Sequence, residues 1–119
     1  KISAANVFNY IPTFIATNSS EALTNTSTAV SVSTAMSTVD SSGGAVTVTL
    51  AAGVTGQLKT IICTTAGNNI TVTPAATVGS GTTVVLDAAG ESVQLLYTGT
   101  AWAAVATSSF ATNIATVIQ

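Results

Sequence analysis

The chain has 119 residues, 47% of them apolar and only 5% charged, with a formal net charge of −2. Two cations (Lys1 and Lys59), four anions (Glu21, Asp40, Asp87 and Glu91) and no Arg or His exclude phosphate-reading nucleic-acid binding and a basic membrane-surface helix. They also remove the commonest general base and metal ligand, and a lone cysteine, Cys63, closes no intrachain disulfide and builds no thiolate zinc site.

The size is that of one domain, and the apolar share is large enough for a core rather than a disordered chain. Thr and Ser recur along the whole chain and supply the solubility that charge supplies in most domains. The mean hydropathy is +0.61, yet polar residues interrupt every window of the roughly 20 residues a spanning helix needs. No signal-peptide pattern follows Lys1. The apolar surplus is therefore expected to be hidden by folding or by contacts between subunits.

In chain order, residues 1–27 read as an extended N-terminal arm and linker. Val7, Phe8, Tyr10, Ile11, Phe14 and Ile15 crowd around Pro12, which breaks a helix by removing a backbone donor and clashing with the preceding turn. So apolar a segment must dock, and these six side chains are expected at an interface with another subunit. The polar stretch from Asn18 to Thr28 reads as a linker.

Residues 28–107 read as a β-domain. Val46, Val48 and Leu50 alternate with Thr47 and Thr49, and Ile70 and Val72 with Thr71 and Thr73, the period of a half-buried strand. Leu58 to Thr64 is apolar on both faces, as a central or interface strand is. Val93, Leu95 and Tyr97 share one face of a further strand, and Trp102 and Ala104 one face of the next. Gly and Asn clusters separate the runs. Ala66-Gly67-Asn68-Asn69 predicts a hairpin between Ile61–Thr65 and Ile70–Thr73, Pro74 ends its strand, and Gly99-Thr100 predicts a two-residue hairpin loop. The sum is an all-β fold, an antiparallel β-sandwich or jelly-roll barrel of about seven to nine short strands. Residues 108–119 form a tail whose Phe110, Ile114, Val117 and Ile118 fit a helix as well as a strand.

The residues that could carry chemistry have plainer readings. Asp87 and Glu91 are the closest carboxylate pair, too few oxygens for calcium without backbone help, and read as turn and strand-edge residues, one of them in an exposed pair with Lys59. Cys63 reads as a small buried hydrophobe. The sequons at Asn18, Asn25 and Asn69 are no more than Ser/Thr richness produces. The Thr-x-Thr pairs at 47/49 and 71/73 lack the fixed period of an ice-binding array and read as solvent-facing strand threonines. Trp102, among alanines and beside Tyr97 on the neighbouring strand, reads as core or subunit packing rather than a sugar-stacking platform. No catalytic residue, metal site or cofactor is expected.

Taken together, Leu50-Ala51-Ala52-Gly53, Gly56-Gln57-Leu58-Lys59-Thr60-Ile61-Ile62, Asn69-Ile70-Thr71-Val72-Thr73-Pro74, Gly81-Thr82-Thr83-Val84-Val85-Leu86-Asp87, Gly90-Glu91-Ser92-Val93-Gln94-Leu95-Leu96-Tyr97 and Gly99-Thr100-Ala101-Trp102 resemble a sequence type found among virion proteins of tailed phages. The type is associated with aquatic phages, those of cyanobacteria included, and the likeness covers about residues 28 to 107. It implies a structural virion component, a head decoration protein or fibre domain, without catalytic residues. The arm lies outside it.

The expected function is thus a non-catalytic coat or fibre subunit on the virion surface. Its partners would be itself, as a homo-oligomer and most simply a trimer, and a major capsid or other virion protein; nucleic acid and membrane are not among them. Tyr97 and Trp102 join the arm residues as expected interface positions. Two rivals differ in class. One is an extracellular or cell-surface filament or surface-layer subunit whose arm adds a strand to the next copy. The other is a glycan-binding module of a fibre.

Overall fold

A computed structural model of the chain describes residues 19–108. The described residues form nine strands and no helix: β1 (Ser20–Leu23), β2 (Ala29–Val30), β3 (Met36–Asp40), β4 (Val46–Leu50), β5 (Leu58–Thr65), β6 (Ile70–Pro74), β7 (Val84–Leu86), β8 (Ser92–Tyr97) and β9 (Trp102–Ser108). The fold is all-β. The strands make a five-stranded sheet, ordered β1-β3-β5-β8-β9, and a four-stranded sheet, ordered β2-β4-β6-β7.

The sheets are mixed rather than antiparallel. β1, β3 and β5 run parallel, as do β2, β4 and β6, while β8, β9 and β7 close their sheets antiparallel. Up to β6 the chain changes sheet at every connection, so each pair β1–β2, β3–β4 and β5–β6 is one rung spanning both sheets, and successive rungs stack in parallel. Ser20 of the first rung faces Met36 of the second, and Met36 faces Thr60 of the third, so the second rung is the longer of the first two.

This arrangement changes the role of Ala66–Asn69. Instead of turning a hairpin, it carries the chain from β5 in one sheet to β6 in the other. Buried Ser41 holds the crossing. Its hydroxyl donates to the Asn68 carbonyl (2.7 Å), and Asn68 Nδ2 donates back to the Ser41 carbonyl (2.9 Å). The Gly99-Thr100 hairpin is where the sequence puts it: Thr98 N–H donates to the Ala101 carbonyl (2.9 Å), and Gly99 takes φ +107°, a backbone region that L side chains rarely enter.

Period-two alternation sets the faces. β4 buries Val46, Val48 and Leu50 and exposes Thr47 and Thr49, and β8 buries Val93, Leu95 and Tyr97. β5 is the central strand of its sheet, as its two apolar faces anticipate. The inward side chains of both sheets belong to one buried cluster. Part of the polar stretch read as linker is a strand: β1 pairs with β3, and its Leu23 joins the core. The alternation there is too short, and the residues too polar, for periodicity to signal it. The arm residues 1–18 and tail residues 109–119 lie outside the described residues.

Candidate functional site

Three places concentrate side-chain chemistry. The first is a polar group set into the core. On β5, Lys59 alternates with Ile61 and Cys63, so the pleat turns all three inward. The Lys59 side chain is fully buried, and its Nζ donates to the carbonyl of Thr34 (2.8 Å) and to Thr34 Oγ1 (2.7 Å). Glu21 Oε1 lies 3.9 Å from Nζ and accepts from the Ser31 N–H (2.8 Å) and the Ser37 hydroxyl (2.6 Å). Gln57 Nε2 donates to the Val32 carbonyl. Three side chains from β1, β5 and the turn before β5 thus satisfy the backbone of residues 31–34, the return from β2 to β3. Burial pulls the Lys59 ammonium below its ordinary pKa, and the Glu21 charge opposes that shift. A depressed amine is the setting of Schiff-base lysines, but this one is buried and donates to the carbonyl and the hydroxyl of Thr34. Its role is structural. The expected surface pair of Lys59 with Asp87 or Glu91 is replaced by this pair of a buried Lys59 with a half-buried Glu21.

The second place is the aromatic end of the core. Trp102 is 2% exposed and Tyr97 8%; their rings meet edge to face, centroids 5.0 Å apart at 68°. The indole Nε1 donates to the Ala51 carbonyl (2.9 Å). A Cβ at Gly53 would lie 2.9 Å from Trp102 Cζ2, so the chain passes the ring at a glycine. Both residues are buried within the single chain, so the expected interface positions on β8 and β9 are core positions here, and no open indole face is left for stacking a sugar. Beside Trp102, between β7 and β9, is an apolar cleft of about 160 Å³ walled by Pro74, Val78, Val84, Leu95 and Ala104. Residues 76–78 strap this end: Trp102 N–H donates to the Ala76 carbonyl and Val78 N–H to the Trp102 carbonyl, both 2.9 Å.

The third place is the acidic turn. Glu91 Oε2 accepts from the N–H groups of Asp87 (2.7 Å) and Ala88 (3.1 Å), which hold its carboxyl below the usual range. Asp40 does the same at its own turn, accepting from the Ser42 hydroxyl (2.6 Å) and N–H (2.9 Å), and is likewise lowered. Both carboxylates close turns. Among the described residues no group of three or more His, Cys, Asp or Glu is placed to hold a metal. Cys63 is buried, and desolvation, with Glu91, Asp40 and Asp87 adding to it, raises its thiol pKa, the opposite of a reactive thiolate.

An acid-side loss of stability follows. Because the folded carboxyls of Asp40 and Glu91 lie below their ordinary values of 3.8 and 4.5, their stabilisation is complete above those values and is lost as pH falls through the folded ones. The denaturant midpoint is expected to drop below about pH 4.5, and Glu91→Gln to flatten part of that drop. An equally steep acid limb in the variant would remove Glu91 from the account.

The Thr-x-Thr pairs are closer to an array than the sequence suggests. Parallel pairing sets Thr47 beside Thr71 and Thr49 beside Thr73, two ranks of two. The six arm positions Val7, Phe8, Tyr10, Ile11, Phe14 and Ile15 lie outside the described residues. Compared with protein-family models and with curated proteins, the chain has no significant match.

Proposed function

We propose that the chain is a structural virion subunit, a capsid decoration or surface-fibre component, that acts through protein–protein contacts without catalysis. Its two sheets, whose inward faces share one core, are read as the layers of a β-sandwich. The observation that carries the reading is the surface. Lys59 is the one cation among the described residues and is buried, so their exterior carries hydroxyls, amides, a few carboxylates and aliphatic side chains. Val54, Leu58, Val78, Val85 and Val105 are each about half exposed or more. Neutral faces of this kind meet one another with little desolvation cost, and burying them contributes roughly 25 cal/mol per Å². That suits many identical copies packed closely on a particle, in line with the resemblance to phage virion proteins.

The expected oligomer is closed and most simply a trimer. Sedimentation at micromolar concentration should give that species, unchanged as salt rises from about 0.1 M to about 1 M, because screening acts on charges that the contacts scarcely use. A soluble monomer under those conditions would overturn the assembly reading. Imaging of native particles, with the protein located on head, tail or fibre, tests the virion reading itself.

A further inference from the structure

The outer faces of the two sheets differ in kind. On the four-stranded sheet, Thr47, Thr49, Thr71 and Thr73 point away from the core, and their hydroxyls have no protein partner among the described residues. Water satisfies them, so covering this face would strip hydrogen bonds without replacing them. On the five-stranded sheet the alternation of β3, β5 and β8 turns Met36, Leu58, Ile62 and Leu96 outward. The register sets them side by side. Leu58 faces Leu96 and Leu96 faces Ala103, and the next rank runs Met36, Thr60, Gln94 and Ala106. The polar groups of this face are answered within the chain: Gln94 Nε2 donates to Thr60 Oγ1, the Thr38 hydroxyl to the Glu21 carbonyl and the Thr64 hydroxyl to the Val39 carbonyl. Its charged residue, Asp40, lies at the end of β3 with its carboxylate held by Ser42. β5 is thus apolar on both faces, and the core within the chain accounts for the one that carries Ile61 and Cys63.

We propose, on the reading of the chain as an assembling subunit, that the second face of β5, with Met36 and Leu96 beside it, is where copies of this chain meet. Charge selects a second copy as the occupant. A partner surface bearing Lys, Arg, Asp or Glu would find no counter-ion along these ranks and would strand a desolvated charge, whereas the same neutral face of another copy brings none. Area points the same way. Five strands make a face of roughly 24 by 20 Å, and two such faces in contact bury about 1,000 Å², which is what a specific interface needs. Leu58, 49% exposed, and its neighbour Leu96 gain most from that contact, because hydroxyls already bonded within the chain cost little to cover.

Thr60→Cys places a thiol in the middle of this face, while Cys63 stays on the buried one. Maleimide labelling of the substituted full chain should slow about tenfold or more as protein concentration is raised through the dissociation seen in sedimentation. Slow labelling at every concentration would overturn the proposal in favour of the chain's own residues as the cover, and fast labelling at every concentration would overturn it by showing the face open. Leu96→Lys gives a second reading: its dissociation constant should rise about a hundredfold, as for a residue central to an interface, while Thr49→Lys on the other sheet should change it less than about threefold. A folded Leu96→Lys chain, checked by circular dichroism, that assembles like its parent would overturn the proposal; if that variant does not fold, the labelling result decides. An unsubstituted chain that sediments as a monomer would overturn assembly altogether, whereas an oligomer in which Thr60→Cys labels fast throughout keeps the assembly and removes only this face from it.

Discussion

Replacing Trp102 by Ala should cost about 3–5 kcal/mol of folding stability, a large share of the roughly 5–15 kcal/mol a domain has. The indole fills the end of the core against Tyr97, Gly53 and the base of the cleft beside β7, and walls already in contact with the ring relax only partly into the space it would leave. Trp102→Phe keeps most of the apolar body and removes the donor to the Ala51 carbonyl, so about 1–2 kcal/mol is expected. Chemical denaturation followed by circular dichroism measures both, since Trp102 is the chain's one tryptophan and its fluorescence is lost in either variant. A change below about 1 kcal/mol for the Ala variant would mean that the ring is not a core element.

The second large effect is expected at Lys59. Lys59→Met removes both bonds to Thr34 and leaves Glu21 without its counter-charge; because the Glu21 side chain is 22% exposed, the cost is expected at about 2–3 kcal/mol, below the range for a fully buried pair. Adding Glu21→Gln retains an acceptor for the Ser31 N–H and the Ser37 hydroxyl while removing the orphan charge, so the double variant should recover about 1–2 kcal/mol. Full additivity would show that the pair is not coupled. A pH signature accompanies this. Because burial sets the folded pKa of Lys59 below its ordinary 10.5, the unfolded chain binds more protons in the window between the two values, and stability there gains with rising pH. Cys63, raised above 9.0 by burial, contributes the opposite slope. The Lys59 contribution is therefore the difference between the parent chain and Lys59→Met, and its absence would place the amine in water.

What could be read from the sequence was the face each residue takes. Alternation at Val46–Leu50, Ile70–Val72 and Val93–Tyr97 identified core positions because the pleat repeats every two residues whatever the neighbouring strand does. The same rule puts Lys59 on the face of Ile61 and Cys63. The preference of lysine for water argues against that placement, and what overrides it is a carboxylate and a threonine elsewhere in the chain that receive the ammonium. Partners and direction were not legible. A Gly-Asn connection such as Ala66–Asn69 serves a hairpin or a crossing between sheets equally well, since both need a tight change of direction and differ only in what the next strand packs against. β1 was hidden for a related reason: of its four residues only Leu23 is buried, and its inward neighbour Glu21 is polar.

The stacking of rungs also orders the making of the fold in time. β1 waits for Met36 to emerge, β2 for Thr49, β3 for Thr60 and β4 for Ile70, and the central β5 pairs through Leu58 with Leu96. Each such closure spends loop entropy before any contact offsets it. The β8–β9 hairpin, with its two-residue loop, is the cheapest pairing in the chain and is among the last to be synthesised. A nascent chain thus meets its partners rung by rung, β3 for β1 first, while β5 keeps one edge unpaired until the far hairpin exists.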